Sequence, residues 1–341
     1  AFRLHLTHRG SAKAVLNGKP IYACSNMGGS RINLDLAKGW NHLLIKSASD
    51  EGQWYAIPFI SARSKCEYDQ KGIVWYLPLP GVATYPGTSA GVGGPIIVKD
   101  RIFVECEPDL LFCINKADGK ILWVKSNNYF DALSAEEKNA NPAFKSLEAA
   151  AGKLDALLSG YASGKPPDAG QRAALAKEIN EGMLKVDAKK YKTHAEYRDV
   201  GNAGFTPCSD GSFVYAWFAS GVSACYDLEG HRKWIRADNH DPVEHGFTTS
   251  PLLFEGKFIV YMRELMAFDA KTGKEVWRNS PAGKEGIYTY RFRSSFAAGY
   301  VGNVGVVMPA DGCLYKASDG QVLLKDPRTM GAGISTPVVD G

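Results

Sequence analysis

At 341 residues the chain is too long for one hydrophobic core, because single cores stop growing near about 250–300 residues, so several parts are expected. Its 45% hydrophobic and 22% charged residues are ordinary for a globular protein and exclude a disordered chain, while a net charge of +4 is too small and too dispersed to predict a nucleic-acid partner. No run approaches the ~20 apolar residues of a transmembrane helix, and no membrane-spanning segment is expected.

The chain opens at Ala1-Phe2-Arg3 with neither a Met nor the charged-then-apolar layout of a signal peptide, and reads as the inside of a domain. Residues 1–65 read as a partial β-sandwich. Val15 to Tyr22 form a hairpin around Asn17-Gly18, and Leu34 to Lys46 read as a second strand pair. Lys38-Gly39-Trp40-Asn41-His42-Leu43-Leu44-Ile45-Lys46 resembles the last strands of galactose-binding-like jelly-roll modules. Roughly 60 residues are fewer than such a module needs, so its sugar binding is not carried over. Trp40 and Trp54 are expected in the core.

From residue 66 to 341 the sequence reads as a β-propeller, interrupted once. Trp75 lies in a closing strand whose partners lie elsewhere, and Gly91-Val92-Gly93-Gly94 reads as a flexible junction. A first unit runs from Pro95 to Trp123 and ends Asp118-Gly119-Lys120-Ile121-Leu122-Trp123. Residues 131–190 are then helix-forming. Phe144, Leu147, Ala151, Leu154 and Leu158 recur at steps of three and four, Leu175, Ile179 and Val186 make a second stripe, and Gly160 to Gly170 separate them. This predicts an inserted helical hairpin whose stripes pack on each other, with a partner-binding groove as the alternative.

Further units close at Gly230-His231-Arg232-Lys233-Trp234, Gly273-Lys274-Glu275-Val276-Trp277 and Gly320-Gln321-Val322-Leu323-Leu324. From opening Pro to closing Trp the first three units measure 28, 27 and 26 residues, and a fourth is expected over about 287–324. Thr336-Pro337-Val338-Val339-Asp340-Gly341 starts one more, so the propeller reads as incomplete. Trp234 to Trp277 span 43 residues, within the 40–50 or so of one four-stranded propeller blade. The fold class is therefore all-β: a propeller of four-stranded blades, a partial β-sandwich before it and a helical hairpin within it.

Ala267-Phe268-Asp269-Ala270-Lys271-Thr272-Gly273-Lys274-Glu275-Val276-Trp277 resembles the tryptophan-docking repeat of quinoprotein alcohol dehydrogenases and their non-enzymatic, pyrroloquinoline-quinone-like relatives. The resemblance implies that Trp123, Trp234 and Trp277 pack between adjacent blades and that Gly119, Gly230 and Gly273 close the outer hairpins. It also implies a bacterial protein, periplasmic or secreted, and raises pyrroloquinoline quinone with calcium as a cofactor. Such enzymes carry an adjacent Cys-Cys pair, a Ca²⁺ site and a catalytic Asp. None of the seven cysteines is adjacent to another, and no local run supplies converging oxygens for a hard cation. No cofactor, metal or catalytic residue is therefore assigned.

The cysteines read as small buried hydrophobes, and His240 and His245 as a solvated loop pair rather than metal ligands. Blade topology gathers Arg198, Asn202, Glu244, His245, Tyr288, Arg291 and Arg293 on one candidate ligand face, suited to an anionic or polysaccharide ligand. The leading expectation is a non-catalytic scaffold for binding or assembly at the bacterial envelope, as in outer-membrane assembly lipoproteins with similar repeats. Its partner would be another envelope protein or a polysaccharide. A quinone-dependent dehydrogenase and a carbohydrate-associated secreted module are the alternatives.

Overall fold

The computed structural model describes residues 2–9, 11–25, 28–48, 55–62, 73–79, 93–191, 202–238, 249–262, 264–279, 295–309 and 313–325. The chain divides into two compact units, Ala1–Ile73 and Val74–Gly341.

In the first unit, β1 (Phe2–Arg9), β2 (Ser11–Leu16), β3 (Lys19–Cys24), β4 (Gly28–Leu34), β5 (Leu43–Ala48) and β6 (Tyr55–Ala62) make two three-stranded antiparallel sheets, ordered β4-β1-β6 and β3-β2-β5. Alternation sets the core: Leu4 and Leu6 from one sheet meet Ala12, Ala14 and Leu16 from the other. Asn17 and Gly18 both have positive φ, 51° and 79°, the primed turn that matches strand twist. Two expectations fail here. Leu34 to Lys46 is not a hairpin, since β4 pairs with β1 and β5 with β2, and the segment between them crosses from one sheet to the other. Nor is Trp40 in the core: it lies in that crossing segment, outside the strand alternation, and is 95% exposed. Trp54 lies outside the described residues.

Among the described residues the second unit contains four antiparallel four-stranded sheets, each a simple meander. Blade 1 is β7 (Ile96–Val98), β8 (Arg101–Cys106), β9 (Leu110–Asn115) and β10 (Ile121–Ser126); blade 2 is β11 (Cys208–Ser209), β12 (Phe213–Trp217), β13 (Val222–Asp227) and β14 (Arg232–Ala237). Blade 3 is β15 (Leu252–Phe254), β16 (Lys257–Met262), β17 (Glu264–Asp269) and β18 (Glu275–Asn279); blade 4 is β19 (Ala297–Val301), β20 (Val304–Met308), β21 (Cys313–Lys316) and β22 (Val322–Lys325). The first described strand of blade 4 begins at Ala297, and the expected start near 287 lies outside the described residues. The middle strands are buried on both faces, and one core cluster runs from Tyr215 of blade 2 through Phe258 of blade 3 to Val307 of blade 4. Such a sheet cannot cover itself, so neighbours must stack on it. The fold is a β-propeller of four-stranded blades.

The contact between blades repeats. Trp123 Nε1 donates to Leu228 O at 3.0 Å, Trp234 Nε1 to Ala270 O at 2.9 Å and Trp277 Nε1 to Ala317 O at 2.9 Å. Each indole lies over the turn glycine of the following blade: Trp123 over Gly230, Trp234 over Gly273 and Trp277 over Gly320. Trp75 does the same on blade 1, donating to Lys116 O at 2.8 Å above Gly119. In all four sheets the register shifts by a bulge between third and fourth strands, beside the position that carries Trp or Leu324.

The insertion forms α1 (Ala135–Ala140), α2 (Phe144–Ala162) and α3 (Ala169–Val186). A capping box between Ser134 and Glu137 starts α1, and Asp168 caps α3 by accepting from Gln171 N at 2.9 Å. The α2 stripe packs on α3 as expected and also on the blade. Phe144, Leu147, Leu154, Leu158 and Tyr161 share one cluster with Leu110, Phe112 and Val124 of blade 1. Phe112 meets Tyr161 edge-on, with centroids 5.4 Å apart.

Candidate functional site

The expected ligand face is represented by one described residue, Asn202; Arg198, Glu244, His245, Tyr288, Arg291 and Arg293 lie outside the described residues, as does His240. Asn202 is buried, and its carbonyl accepts from Ala219 N at 2.9 Å. It therefore sits where the segment entering blade 2 meets the turn between β12 and β13. The turn between β8 and β9 of blade 1 reaches the same place, because Glu107 Oε1 accepts from Ala203 N at 2.8 Å.

Three carboxyls of blade 1 converge on this joint. Glu105, Glu107 and Asp109 are 1%, 2% and 3% exposed. Glu105 Oε1 accepts from Trp217 N at 3.1 Å, and Asp109 Oδ1 accepts from the Ser220 hydroxyl at 3.2 Å. Tyr129, from the segment following β10, donates to Ser220 O. Glu105 lies near the end of β8 and Glu107 and Asp109 in the turn that joins it to β9, so the acidic run Glu105-Cys106-Glu107-Pro108-Asp109 at a strand end carried the signal. Burial pushes the Glu105 carboxyl well above the usual carboxylate range, and burial with the neighbouring Glu107 does the same for Asp109. Burial thus favours the neutral form of these carboxyls.

Among the described residues, Glu105 Oε2 and Trp217 Nε1 have no hydrogen-bond partner. The helical insertion closes the site from outside. Arg172 of α3 is fully buried and donates to the Tyr161 hydroxyl at 2.7 Å. With Asp109, Ser126, Asn128 and Asn180 it surrounds a cavity of about 10 Å³, the volume of one water.

The carboxyls already accept hydrogen bonds from blade 2, and among the described residues no group of three or more His, Cys, Asp or Glu is arranged to hold a metal. Cys106, Cys113 and Cys225 are buried, free and pushed up to about 12 by that burial, which makes them inert core residues. Cys313 is buried too, Cys24 and Cys208 are half-buried, and Cys66 lies outside the described residues.

Sequence reading also missed a lacing of the blade entrances. Gly94 N donates to Thr206 Oγ1 at 3.0 Å, and Thr206 N donates to Ser250 Oγ at 3.0 Å. These residues precede Pro95, Pro207 and Pro251, so the hydroxyls before Pro207 and Pro251 each tie the entrance of one blade to the one before it. Gly93 and Gly94 are consequently packed rather than flexible: a Cβ on Gly93 would strike the Phe205 backbone carbonyl. Two larger grooves lie on the insertion. One of about 720 Å³ lies between α2 and α3, rimmed by Lys177, Glu178, Glu181 and Lys185; the other, of about 700 Å³, lies between Leu77, Ile121 and the loop after Tyr161.

No protein-family model matches the sequence, and no curated protein is similar to it. Solved structures are similar in fold. BamB from Moraxella catarrhalis matches with a TM-score of 0.38 and 15% identity over 74% of this chain and 54% of that one. Quinohemoprotein alcohol dehydrogenase ADHIIG from Pseudomonas putida HK5 matches with a TM-score of 0.34 and 14% identity over 70% and 34%. A europium-containing methanol dehydrogenase matches with a TM-score of 0.31 and 14% identity over 58% and 26%. The chain thus spans about half of the first structure's length and about a third of the second's. Strand pattern, turn glycines and tryptophans define a β-propeller of four-stranded blades.

Proposed function

We propose that this chain is a non-catalytic propeller scaffold, binding or helping to assemble a partner at the bacterial envelope or outside the cell, without quinone or metal. The partner is another envelope protein or a polysaccharide. The observation that supports this reading is the use made of the carboxyl row. Glu105, Glu107 and Asp109 accept hydrogen bonds from Trp217, Ala203 and Ser220, joining two blades where a catalytic site would present groups to a substrate. Among the described residues no helix is long and apolar enough to cross a membrane.

The test is to mix the protein with pyrroloquinoline quinone and Ca²⁺, following quinone absorbance and dye-linked alcohol oxidation. Neither should change. Saturable quinone binding with turnover would overturn the scaffold reading in favour of a dehydrogenase. Chemical cross-linking in an envelope extract and a glycan array then distinguish a protein partner from a polysaccharide.

A further inference from the structure

The net charge is not spread evenly. Residues 1–73 hold ten Lys and Arg against five Asp and Glu, whereas residues 74–341 hold 30 against 31. The small positive total therefore belongs to the N-terminal unit, contrary to the dispersed charge expected from the whole-chain sum. Among the described residues of that unit Asp35 is the single carboxylate.

Part of that positive charge lies on one surface. In sheet β3-β2-β5, Ala12, Ala14 and Leu16 point inward, so Lys13 and Val15 point outward. Lys13 pairs with Lys46, and Val15 lies between Pro20 and Leu44, which puts an apolar row beside a pair of exposed lysines. Leu44 is 67% exposed. The segment hydrogen-bonded to the Asn17-Gly18 turn of this sheet carries Lys38 and Trp40, both exposed.

Trp40 is held there by a clasp between two loop tips. Asn17 Nδ2 donates to Asn41 Oδ1 at 2.8 Å, and Asn41 Oδ1 also accepts from Ala37 N at 2.9 Å. Asn41 Nδ2 donates to Ala37 O at 2.9 Å and to Gly39 O at 3.0 Å, while His42 N donates to Asn17 Oδ1 at 2.8 Å. The clasp fixes the loop before any partner arrives. It also occupies the amides beside the indole, which are the groups that would read the hydroxyls of a sugar. What remains is an exposed indole, an apolar row and lysines acting as point charges on flexible stems. Indole and lysine together suit the boundary between lipid headgroups and acyl chains, where neither directional hydrogen bonds nor a pocket is needed.

We propose that this face of the N-terminal unit, led by Trp40, attaches the protein peripherally to an anionic lipid surface. The inference rests on the N-terminal unit alone and does not depend on the scaffold reading of the propeller.

The experiment is co-sedimentation of the whole chain with vesicles of phosphatidylcholine alone or mixed with phosphatidylglycerol, at about 0.1 M and about 1 M salt. Binding should appear with the mixed vesicles at low salt and fade at high salt. The double variant Lys13→Gln/Lys46→Gln should lower the partition coefficient about thirtyfold, the equivalent of about 1 kcal/mol per lysine. Trp40→Ala should weaken binding while leaving the thermal midpoint unchanged, because the side chain makes no core contact. Equal binding to neutral and anionic vesicles, no binding at low salt, or variants that bind like the parent would each overturn the proposal. So would heparin or DNA binding without vesicle binding, which would assign the lysines to a polyanion instead.

Discussion

The joint between blades depends on a glycine that has two reasons to be glycine, and the two can be separated. Gly230 has φ of 88° and a Cβ there would lie 2.9 Å from the Trp123 ring; Gly211 has φ of 89° and open space around it. Left-handed backbone costs an L residue about 1–2 kcal/mol, so Gly211→Ala should destabilise by about that much. Gly230→Ala should cost about 2–4 kcal/mol, because the indole must also shift out of its place and strain the Leu228 hydrogen bond. Urea midpoints of the two variants check this, and equal losses would show that the indole is not held by the turn. The Trp and Gly positions were legible in the sequence because one physical demand, a flat ring over a residue without Cβ, recurs at regular spacing. Trp40 was not legible: a tryptophan beside Gly39 in a β-rich segment reads as core, and its exposure follows from Asn17 and Asn41, which are 24 residues apart in sequence.

At the scale of elements, blades were readable from turns and alternation, while the role of the helical insertion was only half readable. A stripe at helical spacing shows that a helix has an apolar face but not what covers it. In α2 the same face packs on α3 and on blade 1, so the insertion belongs to that blade's core. Leu154→Ala should therefore cost about 2–5 kcal/mol. Hydrogen exchange should speed up in β10 as well as in α2 and α3. Faster exchange confined to residues 144–186 would show that the helices fold as an independent appendage. The lacing through Thr206 and Ser250 belongs to this scale as well. It uses the ordinary dipeptides Thr-Pro and Ser-Pro, whose meaning appears only when consecutive blades are brought side by side.

For the whole molecule, the buried carboxyls set how stability responds to pH. Burial raises Glu105 and Asp109 and pushes Asp131 up to about 6, so the folded chain keeps protons that the unfolded chain releases above its ordinary carboxyl values of 3.8 to 4.5. The unfolded state then binds fewer protons, and stability falls as pH rises from about 4 through the raised folded values. Other carboxyls act in the opposite sense at lower pH. Asp269 is lowered by Thr272, Glu275 by Arg278 and Asp319 by Lys316, and their contribution is present above the unfolded values and lost in acid. The chain should therefore be most stable at mildly acidic pH. Glu105→Gln keeps an oxygen for Trp217 N but has no proton to lose, so it should match the parent at about pH 4 and exceed it at about pH 8. Each unit by which burial raises Glu105 corresponds to about 1.4 kcal/mol of that difference. Urea unfolding of both proteins across this range decides the matter. Parallel curves would mean that Glu105 is ionised in the folded chain, and the joint between blades 1 and 2 would then have to be held by a buried charge rather than a neutral hydrogen bond.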